Sequence, residues 1–169
     1  RKRKLDCANG REKADLVLKN GNVLNVFTEE VLKADVAICG DTIVGVGEYE
    51  GEKEIDCTGR YLVPGFIDAH MHIESCMAAP GELAKVLAKA GTTTIIADPH
   101  EIVNVSGTKG MDYFLKCAAK LLVNVFFMVP SAVPATDVET NGCGEFLASD
   151  MMKYVDNARV LGLGETMRF

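Results

Sequence analysis

Downstream of Pro64-Gly65, short apolar runs alternate with segments whose apolar residues recur at helical spacing. No other feature of the sequence constrains the fold so tightly. The first run is YLVPGFIDAH, residues 61–70. In PGELAKVLAKAG, apolar residues at 83, 86, 87 and 90 form a helical stripe, with proline near its start and Gly91 past its end, the asymmetry that helices favour. TTTIIAD reads as a buried strand. Met111, Phe114, Leu115, Ala118 and Leu122 mark a second helix, and VNVFFMVP a third strand. Leu147, Met151, Tyr154, Val155 and Ala158 mark a third helix, and RVLGLGE a fourth strand. The order is βαβαβαβ. Such an order gives a parallel sheet with right-handed crossovers. The expectation is therefore α/β: a complete open sheet, or the first half of a (β/α)8 barrel.

Residues 14–63 have a different rhythm. ADLVLKNGNVLNV carries Asn20-Gly21 between apolar runs, a hairpin signal, and KADVAICGDTIVGVG places Gly40-Asp41 in the same way. KEIDCTG reads as a further strand. These segments predict part of a small β-sandwich over residues 1–63, with the barrel strands in residues 64–169. A barrel needs about 250 residues, so the second region is expected to be truncated. The basic run Arg1–Lys4 reads as a solvated tail.

The net charge of −6 argues against nucleic acid or an anionic membrane as partner. No apolar stretch approaches the length of a membrane span, and no signal peptide is expected. Six cysteines are scattered without a CxxC pair, which points to thiols in a reducing, cytoplasmic compartment. Most lie in apolar or small-residue stretches, where a thiol packs as a small hydrophobe; Cys76, near a histidine pair, is read the same way. Neither a Walker loop nor a dinucleotide fingerprint occurs, and GLGE is read as strand glycine.

Parallel α/β folds gather their chemistry at the carboxyl ends of the strands. Strand one ends in His70-Met71-His72 followed by Glu74, strand two in Asp98-Pro99-His100-Glu101, strand three in Pro130-Ser131 and strand four in Glu165. All three histidines of the chain fall at such ends. Side chains at i and i+2 project to one side of a strand, so His70 and His72 can offer two imidazoles to one metal. Glu165 can add an oxygen to the same ion or bridge two. Asp68 is placed to orient a ligand, as metal-bound histidines require, and Asp98 is given the same supporting part. Glu74, His100, Glu101 and Ser131 are candidates for substrate contact or an additional ion. Ser131 has no Gly-x-Ser-x-Gly surroundings, so a hydrolase elbow is not supported.

GRYLVPGFIDAHMHIES resembles the opening signature of the amidohydrolase superfamily. More narrowly, FIDAHMHIESCM, GTTTIIADPHEI, MVPSAVPAT and LGLGETM together resemble the bacterial-type adenine deaminases, in blocks spread from residue 59 to 167. The resemblance implies a (β/α)8 barrel with a binuclear metal centre, converting adenine to hypoxanthine and ammonia by a metal-bound hydroxide. It implies that His70 and His72 bind one metal and that Glu165 bridges the pair, where many amidohydrolases use a carboxylated lysine. Mn or Fe is the expected metal, and Zn also suits nitrogen and oxygen ligands. The sequence departs from the pattern in extent: the histidines of strands five and six and the aspartate of strand eight would lie beyond Phe169. Cys76 stands where serine is expected, and Ala132 where cysteine is common. The expectation is an N-terminal segment, inactive alone, whose partners are the rest of the same polypeptide and another copy of itself. Another amidohydrolase, or a non-catalytic half-barrel binding module, are the alternatives.

Overall fold

The computed structural model describes residues 1–139, 142 and 144–167. They form two compact units, residues 1–64 and 65–169, the latter within those described.

The first unit is a sheet with one short helix, α1 (Lys2–Ala8). The strands are β1 (Ala14–Asn25), β2 (Glu30–Cys39), β3 (Thr42–Gly47), β4 (Gly51–Asp56) and β5 (Tyr61–Leu62). They run in the order β3-β2-β1-β4, with β5 also pairing β1. β2 and β3 make the hairpin expected at Gly40-Asp41, where Gly40 takes φ +63°. Asn20-Gly21 does not make one. β1 passes through it as a single strand with a bulge between Leu18 and Gly21, and Asn20 holds φ 60°. The buried Asp35 explains the difference. It accepts hydrogen bonds from the Asn20 N–H (2.9 Å), the Tyr49 N–H (3.2 Å) and Lys19 Nζ (2.5 Å), so the left-handed residue is spent on a bulge. The β1–β2 turn falls instead at residues 26–29.

The basic start of the chain is not a solvated tail. Residues 2–4 open α1, where Arg3 pairs with Asp15 at 2.5 Å and Lys4 with Asp41 at 2.6 Å. Ala14, Val17 and Ala37 form a small buried cluster packed against Val44 and Tyr49.

The second unit is a four-stranded parallel sheet in the order β6-β7-β8-β9. Its strands are β6 (Phe66–Met71), β7 (Thr92–Ala97), β8 (Asn124–Val129) and β9 (Val160–Leu163). The run 61–70 is divided: Tyr61–Leu62 pairs with β1, and only Phe66 onward enters this sheet. Pro64, without an N–H, cannot continue a ladder. Helix α2 (Pro80–Lys89) begins on its proline as expected. Helices α3 (His100–Ser106) and α4 (Thr108–Ala118) follow β7, separated at Gly107 with φ 60°. The first of them was not foreseen, and Leu122 falls outside the second. Ile95, Ala97, Val125, Phe127 and Val129 of the sheet pack with Leu83, Ala84, Met111, Phe114 and Ala118 of the helices.

The third helix is shorter than its stripe suggests. It forms only as α5 (Ala148–Met151) and gives way to turns. Asn157 Oδ1 accepts the Arg159 N–H at 2.9 Å, a local bond that competes with helix. Tyr154 is nevertheless buried. Its hydroxyl donates to the Thr108 carbonyl and to Asp112, both at 3.1 Å. Burial, followed by the Asp112 carboxylate, pushes that phenol well above its ordinary range.

Candidate metal centre

The site forms at the carboxyl edge of this sheet, from residues at the ends of β6, β7 and β9. The Asp98 N–H donates to the Met71 carbonyl at 2.9 Å, which draws the segment after β7 against the end of β6. The Asp98 side chain is fully buried. Its Oδ2 accepts the backbone N–H of Glu165 at 2.8 Å, and so ties the residue after β9 to the segment after β7. Gly164 makes this approach feasible, because a Cβ there would overlap the Asp98 carboxylate. Ser131, after β8, donates its hydroxyl to the Glu165 carbonyl at 2.9 Å. Glu165 is thus held by its main chain on both sides, and its carboxylate is left to the site.

His70 Nε2 and His72 Nε2 are 3.1 Å apart. The Glu165 carboxylate reaches both, with Oε2 3.4 Å from His70 Nε2 and Oε1 3.7 Å from His72 Nε2. Two nitrogen donors bound tetrahedrally to one zinc-sized ion stand about 3.4 Å apart, so these spacings suit ligands converging on one cation. His72 Nδ1 lies 2.9 Å from the Asp98 carbonyl. The carbonyl can only accept, so the proton sits on Nδ1 and the Nε2 lone pair faces the cluster. Burial lowers the His72 pKa, but that carbonyl and the carboxylates of Glu101, Glu165 and Asp98 outweigh it, and the net shift is upward.

His100 opens α3 beside this group. Its Nδ1 lies 3.4 Å from Glu165 Oε1 and 3.7 Å from Asp98 Oδ1, and its Nε2 lies 3.6 Å from Glu101 Oε2. Glu101 Oε2 is also 3.4 Å from His72 Nδ1. Among the described residues, three overlapping sets bring metal-ligating atoms within 4.8 Å of one another: His70, His72 and Glu165; His72, His100 and Glu101; and Asp98, His100 and Glu165. Asp98 Oδ1, His100 Nδ1 and Glu101 Oε2 are buried with no hydrogen-bond partner. Uncompensated polar burial is costly. Three such atoms facing one cluster of imidazole and carboxylate are the mark of a donor set suited to divalent cations.

The other expected residues take supporting positions. The exposed Asp68 carboxylate accepts the backbone N–H of His70 at 3.2 Å, and the Asp98 carbonyl lies against the His72 ring. Glu74 Oε1 accepts the Ile102 N–H at 3.0 Å in the first turn of α3, and burial, ahead of its other contacts, raises the Glu74 pKa. Ser75, not singled out in the sequence, donates to Glu101 Oε1 at 3.2 Å. The part played by Gly164 was also missed; its position directly before Glu165 was the available signal.

Residues 61–161 match the amidohydrolase family. The chain belongs to that family. Among its relatives are an adenine deaminase of Desulfitobacterium hafniense (strain Y51), 56% identical over 160 residues, which cover 95% of this chain and 28% of that protein. An adenine deaminase of Clostridium acetobutylicum is 49% identical, over 98% of this chain and 29% of the relative. This amidohydrolase chain therefore spans less than a third of the length of the curated relatives it matches. Among solved structures, atrazine chlorohydrolase TrzN from Arthrobacter aurescens, complexed with zinc, superposes with a TM-score of 0.65 at 18% identity, over 91% of this chain and 48% of that one. The fold is that of the amidohydrolase barrels, of which this chain supplies four parallel strands. No helix among the described residues is long and apolar enough to cross a membrane.

Proposed function

We propose that this chain is the N-terminal segment of a metal-dependent adenine deaminase, with residues 1–63 part of a small β-sandwich and residues 64–169 the first four strands of the barrel. The observation that carries the metal site is the convergence of His70, His72 and Glu165 within ligand distance of one another. The observation that carries the substrate is the identity, near one half over almost the whole chain, to proteins named adenine deaminase.

In this reading His70 and His72 hold the first ion through Nε2. Glu165 would be a carboxylate ligand of the metal centre, with His100 and Glu101 beside it as further ligands or purine contacts. A bound divalent ion, Mn or Fe in preference to Zn, supplies a Lewis acid that brings the pKa of water towards neutrality. Asp98 fixes the Glu165 main chain and the His72 ring. Glu74 and Ser131 brace the α3 turn and the β9 end. The reaction consumes adenine and water and releases hypoxanthine and ammonia. The five cysteines among the described residues are free thiols, which suits the cytoplasmic location this reading carries, and the working unit is an oligomer of the intact polypeptide.

The test is ammonia release by the intact polypeptide that contains this segment, loaded in turn with Mn, Fe and Zn. Adenine, hydantoin, dihydroorotate and N-acyl amino acids would be compared. Turnover of adenine well above the others supports the proposal. A preference for a cyclic amide or an acyl amino acid would overturn the substrate, and metal content unchanged by His70→Ala and His72→Ala together would overturn the site.

A further inference from the structure

The first unit contains a second cluster of reactive groups, apart from anything the proposed chemistry uses. Cys7, in α1, and Cys39, the last residue of β2, bring their sulfurs to 3.5 Å, in van der Waals contact, and both residues are buried. Thirty-two positions separate them in the chain. The guanidinium of Arg3 donates to Cys39 Sγ at 3.2 Å and is itself anchored on Asp15. Cys7 Sγ also lies 3.4 Å from the Lys13 carbonyl. A cation against Cys39 Sγ and a second thiol in contact with it are two of the surroundings in which cysteines act as redox partners; the third, solvent access, has to come from local opening, since both residues are buried. For two cysteines that merely fill space, a cation in hydrogen-bond contact is not needed.

We propose that Cys7 and Cys39 are a reversible oxidation site that closes to a disulfide when the protein meets a hydroperoxide. Cys39 is oxidised first. Its sulfur takes one oxygen from the hydroperoxide to become a sulfenic acid, and the hydroperoxide leaves as the alcohol, or as water when hydrogen peroxide is the oxidant. The Cys7 sulfur then displaces that oxygen, forming the S–S bond and releasing water. With hydrogen peroxide, two thiols and one oxidant give one disulfide and two waters. A dithiol reductant reverses the bond by exchange. Access comes from α1, because a helix of only seven residues opens locally at low cost. Once formed, the bond pins α1 to the end of β2 beside the Gly40 turn.

The intact polypeptide would be exposed to a small excess of hydrogen peroxide, its remaining thiols blocked, and its peptides mapped by mass spectrometry. The expected product is a cross-linked pair containing Cys7 and Cys39, formed before Cys57, Cys76 or Cys117 is modified and lost on adding dithiothreitol. Cys7→Ser should abolish the link and leave a sulfenic acid on Cys39 that a dimedone probe captures. Thermal melting of each variant checks that it is folded. The oxidised wild type should melt higher than the reduced form, and the Cys7→Ser/Cys39→Ser double variant should not respond to peroxide. Oxidation of the other cysteines with Cys7 and Cys39 still reduced, or a link that appears only after denaturation, would overturn the proposal.

Discussion

At the residue scale the candidate site depends on a few main-chain and buried contacts as much as on its imidazoles. Gly164→Ala would drive a methyl group into the buried Asp98 carboxylate. Overpacking of this kind typically costs about 1–3 kcal/mol, so urea melts should show a loss of that size, with reduced metal content in the folded fraction. Asp98→Asn keeps the shape but removes the charge that faces His100 and holds the Glu165 N–H. Metal titration should show affinity falling by about 10–100-fold, the usual effect of losing a group that supports a ligand. Unchanged affinity would mean that Asp98 serves folding alone. His-x-His and Glu165 were legible in the sequence because period-two geometry and the βα order say where such side chains point. The Asp98 bond to the Glu165 main chain was not, since it joins residues 67 apart through a backbone atom that carries no sequence signal.

At the scale of elements, the strands of the second unit could be read from continuous apolar runs, whereas the signals that misled were all local ones. Asn20-Gly21 has the chemistry of a tight turn, but Asp35 captures the Asn20 N–H and makes it a bulge. The apolar stripe through Tyr154 reflects burial against Phe146, with ring centroids 6.4 Å apart, without a continuous helix beneath it. Asp35 also supports a prediction about acid stability. Burial raises its pKa, but Lys19 and the two backbone N–H groups outweigh burial, so its folded pKa lies below the ordinary value. Its stabilisation is complete above the unfolded carboxylate pKa of about 4 and is lost as pH falls through the lower folded value. Asp35→Asn should therefore flatten the acid limb of a plot of Tm against pH. Asp35→Ala, measured near neutrality, should cost about 1.5–3 kcal/mol, the range for hydrogen bonds to a charged group.

At the scale of the whole molecule, the proposed ligands come from the ends of three strands, so a bound ion would add a link to segments already joined by backbone pairing and by the Asp98 and Ser131 bonds to Glu165. Metal binding to the native state alone stabilises it by mass action, by about 2.7 kcal/mol when free ion exceeds its Kd a hundredfold. Dialysis of the intact polypeptide against a chelator should lower its Tm and abolish the adenine deamination proposed for it, and both should return on adding the divalent metal. A Tm indifferent to the chelator, in protein shown to have lost its metal, would separate the ion from folding and leave it a purely chemical part.

The double anchoring of Glu165 has a consequence for how such a site can change over generations. Asp98 grips its N–H and Ser131 its carbonyl, and neither bond involves the side chain. The position works as a socket: the chain path survives whatever is plugged into it. If Glu165 carries the metal role proposed for it, a lineage can exchange the glutamate for another ligand without first rebuilding the scaffold around it. Variation of the side chain at this position is then an inherited freedom of the backbone.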